Sequence, residues 1–285
     1  MASDDAAALA WAARAAGGGS VVSATLFPAA TSSTVLAVDV ALPDGTVRAL
    51  VLRRFTNAAW LAEEDDVPGA EAAALRVAAA CAVPTPTLVA LERDAGPEPW
   101  LLMTRLPGAP RAPSADDAFL APLAALLAPI HATPVSEPLR PYDPWEREAA
   151  GPPPWTARPE LWDAAFARFA APAPPLPPGT APVLLHRDFH PGNVLWEGDA
   201  ISGVVDWPSA SVGHPHADPG HCRMDLARTV GLPAADRFLQ LAGIPRRDYD
   251  PYWDLAAVLG GFTEDDWSPA DEAFVAQAVA RLPRA

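Results

Sequence analysis

Between residues 183 and 207 the chain switches repeatedly between apolar run and polar loop, and few folds can hold what it sets there. Val183-Leu-Leu leads into a loop, Val194-Leu-Trp leads out of it, and a further run over 201–205 ends on Asp206. Short apolar runs bounded by Pro and Gly read as buried strands. Inside the loop, His186, Asp188 and Asn193 stand at the spacing H-x-D-x-x-x-x-N. Neighbouring strand ends therefore carry a carboxylate, an amide and a second carboxylate.

That donor set has a particular use. Asp188 can accept the proton of an attacking hydroxyl. Asn193 offers a neutral oxygen and Asp206 an anionic one. Mg²⁺ is a hard ion that takes one or two carboxylates together with phosphate oxygens and water. A base, an amide and a carboxylate in this strand context are the parts of a phosphoryl-transfer site. His186 reads as structural, holding the loop by hydrogen bonds, and Gly192 as relief at a tight backbone position. Alone, Asp188 and Asn193 would only cap turns; the flanking strands and Asp206 favour the chemical reading.

The run His-Arg-Asp-Phe-His-Pro-Gly-Asn-Val-Leu over 186–195, followed by Val-Val-Asp-Trp over 204–207, resembles the aminoglycoside phosphotransferase family. That family is a small-molecule branch of the protein-kinase-like fold. His190-Pro191-Gly192 is the part that resembles antibiotic and metabolite kinases; protein kinases usually carry Lys near that place. The resemblance spans most of the chain and is sharp over 183–207. It implies an α+β, two-lobed protein-kinase-like fold, with a five-stranded antiparallel sheet lobe over 1–104 and a mostly helical lobe over 105–285. It also implies a Mg²⁺-dependent transfer of the γ-phosphoryl group of ATP or GTP to a hydroxyl of a small molecule.

Composition narrows the partners. The chain has 285 residues, half of them hydrophobic, enough for a sizeable core. A formal charge of -15 argues against nucleic acid or an anionic membrane as partner. All 20 Lys+Arg residues are Arg, which with 35 Pro and abundant Ala reads as coding bias. Cys81 and Cys222 lie far apart, the first residues are acidic rather than basic, and no apolar run is long enough to span a membrane. The expectation is a cytoplasmic protein with free thiols.

The N-terminal part reads as a helix stopped by Gly17 to Gly19, then strands over 21–27, 34–42 and 46–55, the last two joined by the turn Pro43-Asp44-Gly45. A nucleotide-covering loop would fall at 29–33. It lacks glycine, so Ser32 and Ser33 are the groups left to offer phosphate a hydroxyl or N–H, and an ordinary hairpin turn is an equal alternative. The third strand ends Leu50-Val-Leu-Arg-Arg. The family resemblance places a Lys there; here Arg53, or failing it Arg54, supplies the cation, with a bulkier, differently aimed fork. Pro68 opens a helix to Cys81 with Glu71 in its first turn, as partner of that cation or as a carboxylate favoured by the helix dipole. Strands over 87–92 and 100–105 follow. The second resembles the hinge strand between lobes, with backbone near Thr104 to Leu106 meeting the nucleotide base and Met103 at its border or in the core.

Beyond Gly108 the period becomes helical. A helix capped near Ser114 and bent or split by Pro122 and Pro129 reaches His131; another covers 160–169; 172–182 is a Pro-rich connector. Helices are expected over 224–230, 234–242, 252–260 and 269–282. The segment 213–222 carries His214, His216, His221 and Cys222 without the ligand-pair spacing of structural zinc. It reads better as an active-site floor in which Asp218 braces the catalytic loop. The acidic residues Asp248, Asp250, Asp254, Glu264, Asp265, Asp266, Asp271 and Glu272 would attract a cationic acceptor such as an aminosugar, or form a solvated face. Trp145, Trp155, Trp253 and Trp267 are stacking candidates or core. The acceptor is thus an antibiotic, as for a resistance enzyme, or a metabolite such as a choline-like alcohol, an amino-acid alcohol or a sugar. The glycine-free loop and absent Lys also admit a non-catalytic nucleotide-binding module of the pseudokinase kind.

Overall fold

The computed structural model of the chain describes residues 3–27, 33–94, 96, 98–144, 151–260 and 267–282. Helix α1 (Ser3–Ala15) ends where Gly17 and Gly18 take φ of +125° and +85°. Strands β1 (Ser20–Leu26), β2 (Thr34–Ala41) and β3 (Val47–Arg54) follow. The β2–β3 turn is closed by Asp44, whose carboxylate accepts from the Thr46 amide at 2.9 Å and the Thr46 hydroxyl at 2.7 Å. Then come α2 (Ala58–Glu63), α3 (Val67–Ala78), β4 (Leu88–Glu92) and β5 (Trp100–Thr104). The five strands form one antiparallel sheet in the order β1-β2-β3-β5-β4.

Alternation along the strands gives the sheet two faces. Val38, Val40, Leu50, Leu52 and Leu102 pack on Ala8, Leu9, Ala12 and Ala13 of α1. Val51, Leu101 and Met103 turn the other way, into a larger core with Val67, Ala74 and Leu75 of α3. The same period separates two adjacent arginines. Arg54 turns to the α1 face and pairs with Asp5 and Glu98, whereas Arg53 turns to the α3 face and Glu71.

The rest is mainly helical. It comprises β6 (Ala109–Pro110), α4 (Asp117–Ala125), α5 (Leu127–His131), α6 (Pro159–Ala170), β7 (Val183–Leu185), β8 (Val194–Glu197), β9 (Ala200–Val204), β10 (Ser211–Gly213), α7 (Ala217–Thr229), α8 (Leu232–Leu241), α9 (Tyr252–Leu259) and α10 (Pro269–Val279). Strands β6, β8 and β9 make one small sheet, and β7 pairs with β10. The architecture is a two-lobed α+β fold. Arg223 ties the helical part together: it is fully buried, bonds Asp254 through Nε at 2.9 Å and Nη2 at 3.2 Å, and reaches the Ala235 carbonyl, Asp236 and Gln277. Among the described residues, no helix is long and apolar enough to cross a membrane.

Several boundaries differ from expectation for physical reasons. Helix α3 opens at Val67 behind Asp66, so Glu71 lies past the first turn, where the helix dipole has faded. The helix expected to reach His131 splits at Leu126, and its cap position is Asp116 rather than Ser114. Helix α7 begins at Ala217, seven residues before the expected start. Pro219 misleads the eye there, because the first turn of a helix has no intrahelical use for its N–H. Gly220 is needed for contact: a Cβ would stand 2.4 Å from the Trp253 carbonyl oxygen on α9. Helix α2 and strands β6 and β10 have no signal in the sequence reading.

Candidate active site

The β8–β9 hairpin sets the site. Its register pairs Val194 with Val204, and the next rung is a hydrogen bond from the Val205 amide to the Asn193 carbonyl at 2.9 Å. Asn193 and Asp206 therefore emerge at the same end of the hairpin. Asp206 has φ +69°, a left-handed conformation that non-glycine residues adopt at a cost. At Gly192, one residue before Asn193, a Cβ would lie 2.6 Å from Cε1 of His190, so a larger residue there would have to displace that ring.

The loop carrying Asp188 is braced from below. The Asp218 carboxylate, fully buried on the first turn of α7, accepts from the amides of His186 at 3.1 Å and Arg187 at 2.7 Å. His131 lies 2.9 Å from the same carboxylate. Burial pushes the Asp218 carboxyl up, but His131, His186 and the Arg187 amide outweigh it and hold it low. Arg187 is held at φ +69° by this bracing. His186 is buried, with Nε2 2.9 Å from the Val205 carbonyl and its ring 4.6 Å from that of Trp207. One imidazole thus links the Asp188 loop to the Asp206 strand.

Asp188 itself is held at both oxygens. Asn193 Nδ2 donates to Oδ2 at 3.1 Å and to the Asp188 carbonyl at 2.9 Å; His221 Nε2 stands 3.0 Å from Oδ1. Burial raises the Asp188 carboxyl, yet the hydrogen bond and charge of His221, with His190 and His186, hold it well below the usual carboxylate range. With the Asn193 amide nitrogen engaged on Asp188, Oδ1 is the Asn193 atom left for a cation. His190 lies 3.9 Å from both Asp188 and Asp225, and burial lowers its pKa while raising that of Asp225. His221 and Asp225 escaped the sequence reading as site residues. Their signal was there: Asp218, His221 and Asp225 fall at i, i+3 and i+7 on one helical face, once α7 is begun early enough.

On the sheet side, Arg53 Nη2 donates to Asp206 Oδ1 at 2.6 Å, and Arg53 Nε lies 3.4 Å from Glu71 Oε2. Arg53 thus reaches the Asp206 carboxylate and Arg54 does not. Burial disfavours the charge on Arg53, but Glu71 and Asp206 more than compensate and raise its pKa. Burial pushes the Glu71 carboxyl up to about 7, opposed by Arg53 and reinforced by Asp206. The oxygens of Asn193 and Asp206 are hard donors of the kind Mg²⁺ takes. The two Glu71 oxygens and Arg53 Nε make no hydrogen bond among the described residues, so this polar cluster is incomplete by itself. The donor set therefore fits a divalent cation with an anionic ligand.

The remaining expected contacts divide. Thr104 and Arg105 spend their amides on Thr87 and Ala49 at 2.9 and 3.0 Å, so Thr104 cannot offer its N–H to a base; Leu106 N–H makes no backbone hydrogen bond among the described residues. Ser33 is buried at the start of β2, and Ser32 lies outside the described residues. Of the histidines weighed for zinc, His214 stacks on Trp253 at 4.6 Å and lies 4.7 Å from the His216 ring, His216 also lies 5.2 Å from the Tyr249 ring, and His221 meets Asp188. The acidic patch is largely paired: Asp254 with Arg223, Asp271 with Arg228, Asp250 with Arg168. Trp253 and Trp267 are core and Trp155 is exposed. Trp145, Glu264, Asp265 and Asp266 lie outside the described residues.

Comparison with known proteins agrees with this fold. Among curated protein sequences none matches the chain. Its fold is similar to that of aminoglycoside phosphotransferase APH(4)-Ia, with a TM-score of 0.69, 18% identity and 98% and 99% of the two chains covered. It is also similar to macrolide 2'-phosphotransferase MphH from Brachybacterium faecium, at TM-score 0.61, 20% identity and 98% and 99% coverage. A third similar fold is APH(3'')-Id from Streptomyces rimosus, solved with ADP and streptomycin, at TM-score 0.57, 18% identity and 89% and 98% coverage. The sequence model of the phosphotransferase enzyme family matches residues 29–255, which include strands β2 to β5, the Asp188 loop and Asp206. With the match running through each of these parts, the chain belongs to the phosphotransferase enzyme family.

Proposed function

We propose that the chain transfers the γ-phosphoryl group of ATP or GTP to a hydroxyl of a small molecule. The observation that carries this reading is the Asp188 carboxylate, fixed by Asn193 and His221 beside the end of the hairpin that bears Asp206. In the proposed mechanism Asp188 orients the acceptor hydroxyl and takes its proton as the oxygen bonds to the γ-phosphorus and the bond to the β-phosphate oxygen breaks, releasing the nucleoside diphosphate. A depressed pKa suits late proton transfer, because the carboxylate is ionised at neutral pH whether or not an acceptor is bound. Asn193 and Asp206 would hold Mg²⁺, which supplies charge neutralisation on the phosphates. Arg53, steadied by Glu71, faces the phosphates as the cation, and Leu106 offers its N–H to the base. Ser33, with Ser32, would border the phosphates. We place the boundary between the nucleotide lobe and the catalytic lobe at residues 104 and 105, and the enzyme in the cytoplasm, where nucleotide is made and its two free cysteines stay reduced.

For the acceptor we propose a sugar-containing antibiotic. The similar structures support this: one holds streptomycin, another is named a macrolide 2'-phosphotransferase. A metabolite alcohol is the second reading, favoured by the pairing of Asp250, Asp254 and Asp271 with arginines, which leaves less free negative charge for a polycationic drug. The pseudokinase reading ranks below both, because Asp188, Asn193 and Asp206 are all present. Purified protein, nucleotide and Mg²⁺ are incubated with a panel of antibiotics and alcohols, and products are weighed by mass spectrometry. One acceptor should gain a phosphate and Asp188→Ala should abolish the gain; an equally active variant would refute the assignment. Resistance in an expressing host separates drug from metabolite.

A further inference from the structure

Arg53 stands between two carboxylates and is hydrogen-bonded to only one. Its Nη2 donates to Asp206 Oδ1 at 2.6 Å. Toward Glu71 the approach is Nε to Oε2 at 3.4 Å, close enough for an ion pair but without a hydrogen bond. Arg53 Nε and both Glu71 oxygens are buried and make no hydrogen bond among the described residues. Glu71 is 0% exposed and Arg53 6%, whereas the Asp206 side chain is 39% exposed. The arginine is thus bonded to the carboxylate that water could have solvated, and underbonded to the one that water cannot reach. Leaving a buried carboxylate unmet is the costlier of the two arrangements.

We propose that Arg53 is a two-position counterion that competes with a divalent cation for Asp206. Without cation, Arg53 neutralises Asp206. With cation and nucleotide present, Arg53 gives up Asp206, completes its bonds to Glu71 and turns its outer donors to phosphate. The flat fork of arginine permits this, since Nη2 already bonds Asp206 while Nε lies 3.4 Å from Glu71 without a hydrogen bond. A lysine would have to serve both carboxylates from a single nitrogen rather than from the separate arms of a fork. The inference rests on the phosphotransferase reading of Asp206 and adds a cost of Mg²⁺ recruitment set by a residue of the sheet.

The test reads binding rather than turnover. Fluorescent N-methylanthraniloyl ATP and GTP are titrated into the full chain at a series of Mg²⁺ concentrations, and the half-saturating Mg²⁺ is taken from the rise in affinity. Arg53→Lys weakens the competitor, so half-saturating Mg²⁺ should fall by about fivefold, while nucleotide affinity without Mg²⁺ does not improve. Glu71→Gln removes the second seat, leaves Arg53 on Asp206, and should raise half-saturating Mg²⁺ by about fivefold. Folding is checked by circular dichroism and melting; if Arg53→Lys does not fold, the direction of the Glu71→Gln shift decides alone. Shifts of one sign in both variants, or no shift in folded variants, overturn the two-position role and leave the phosphotransferase reading intact. A wild-type chain that binds neither nucleotide at any Mg²⁺ concentration overturns both.

Discussion

His221 Nε2 stands 3.0 Å from Oδ1 of Asp188, while the Asn193 amide holds Oδ2 of the same carboxylate at 3.1 Å. The carboxylate is therefore fixed from two elements, helix α7 and the turn before β8. A hydrogen bond to a charged group contributes about 1.5–3 kcal/mol, so His221→Ala should lower kcat by roughly ten- to a hundredfold. The KM for nucleotide should barely move, because His221 faces Asp188 and not the sheet. His221→Gln, which can still donate, should recover part of the loss. Steady-state kinetics of the three proteins check this.

The acid side of the activity profile should move in the same variant. In the wild type Asp188 titrates well below the usual carboxylate range, chiefly because His221 outweighs burial. Activity needs the ionised form, so it survives mild acid. Without His221, burial acts with less opposition and the Asp188 pKa rises. The loss of activity should then begin at higher pH, within about pH 4–6, where ordinary and raised carboxyl groups titrate. Profiles of kcat/KM for wild type and His221→Ala would show it; superimposable acid limbs would contradict it.

Glu71 predicts a stability slope. Its folded pKa of about 7 lies above the ordinary 4.5, so the folded chain holds this proton more tightly than the unfolded chain. The contribution is full below about pH 4.5 and is lost as pH rises through 7. At 1.36 kcal/mol per unit the loss across that window is on the order of 3 kcal/mol. Glu71→Gln carries no such proton. Urea denaturation at a series of pH values should give a flatter stability curve over this window for the variant than for the wild type.

What the sequence revealed, and what it hid, follows from the range of the forces involved. The strands of the sheet, the Asp44–Gly45 turn and the Asp188 loop are encoded locally, by alternation, turn chemistry and spacing, and they were legible. The choice between Arg53 and Arg54 needed only the face alternation of Leu50 and Leu52 against Val51. The start of α7 was not legible, because Pro219 and Gly220 look like loop residues until α9 is seen packed against them. His221 was lost with it. The pairing of Asp254 with Arg223 and of Asp271 with Arg228 joins residues far apart in the chain, so an apparently open acidic patch became largely an internal network.

Arg223 should be the most sensitive polar position in the helical part. It is 0% exposed, as is nearly all of Asp254 at 1%. Arg223→Met leaves Asp254 buried with the Tyr249 hydroxyl, at 2.8 Å, as its remaining side-chain partner among the described residues. Breaking one side of a buried pair costs about 3–5 kcal/mol. Adding Asp254→Asn removes the stranded charge, so the double variant should be more stable than Arg223→Met alone. Urea midpoints of the single and double variants decide.

The central claim is that Asp188 of this chain deprotonates a small-molecule hydroxyl during phosphoryl transfer. The most direct measurement compares wild type with Asp188→Asn on the first acceptor found to gain a phosphate, alongside nucleotide binding by both proteins. The account predicts a loss of about 10²–10⁴ in kcat with nucleotide affinity retained. Equal turnover by Asp188→Asn, or nucleotide binding with no acceptor phosphorylated across the whole panel, would contradict it.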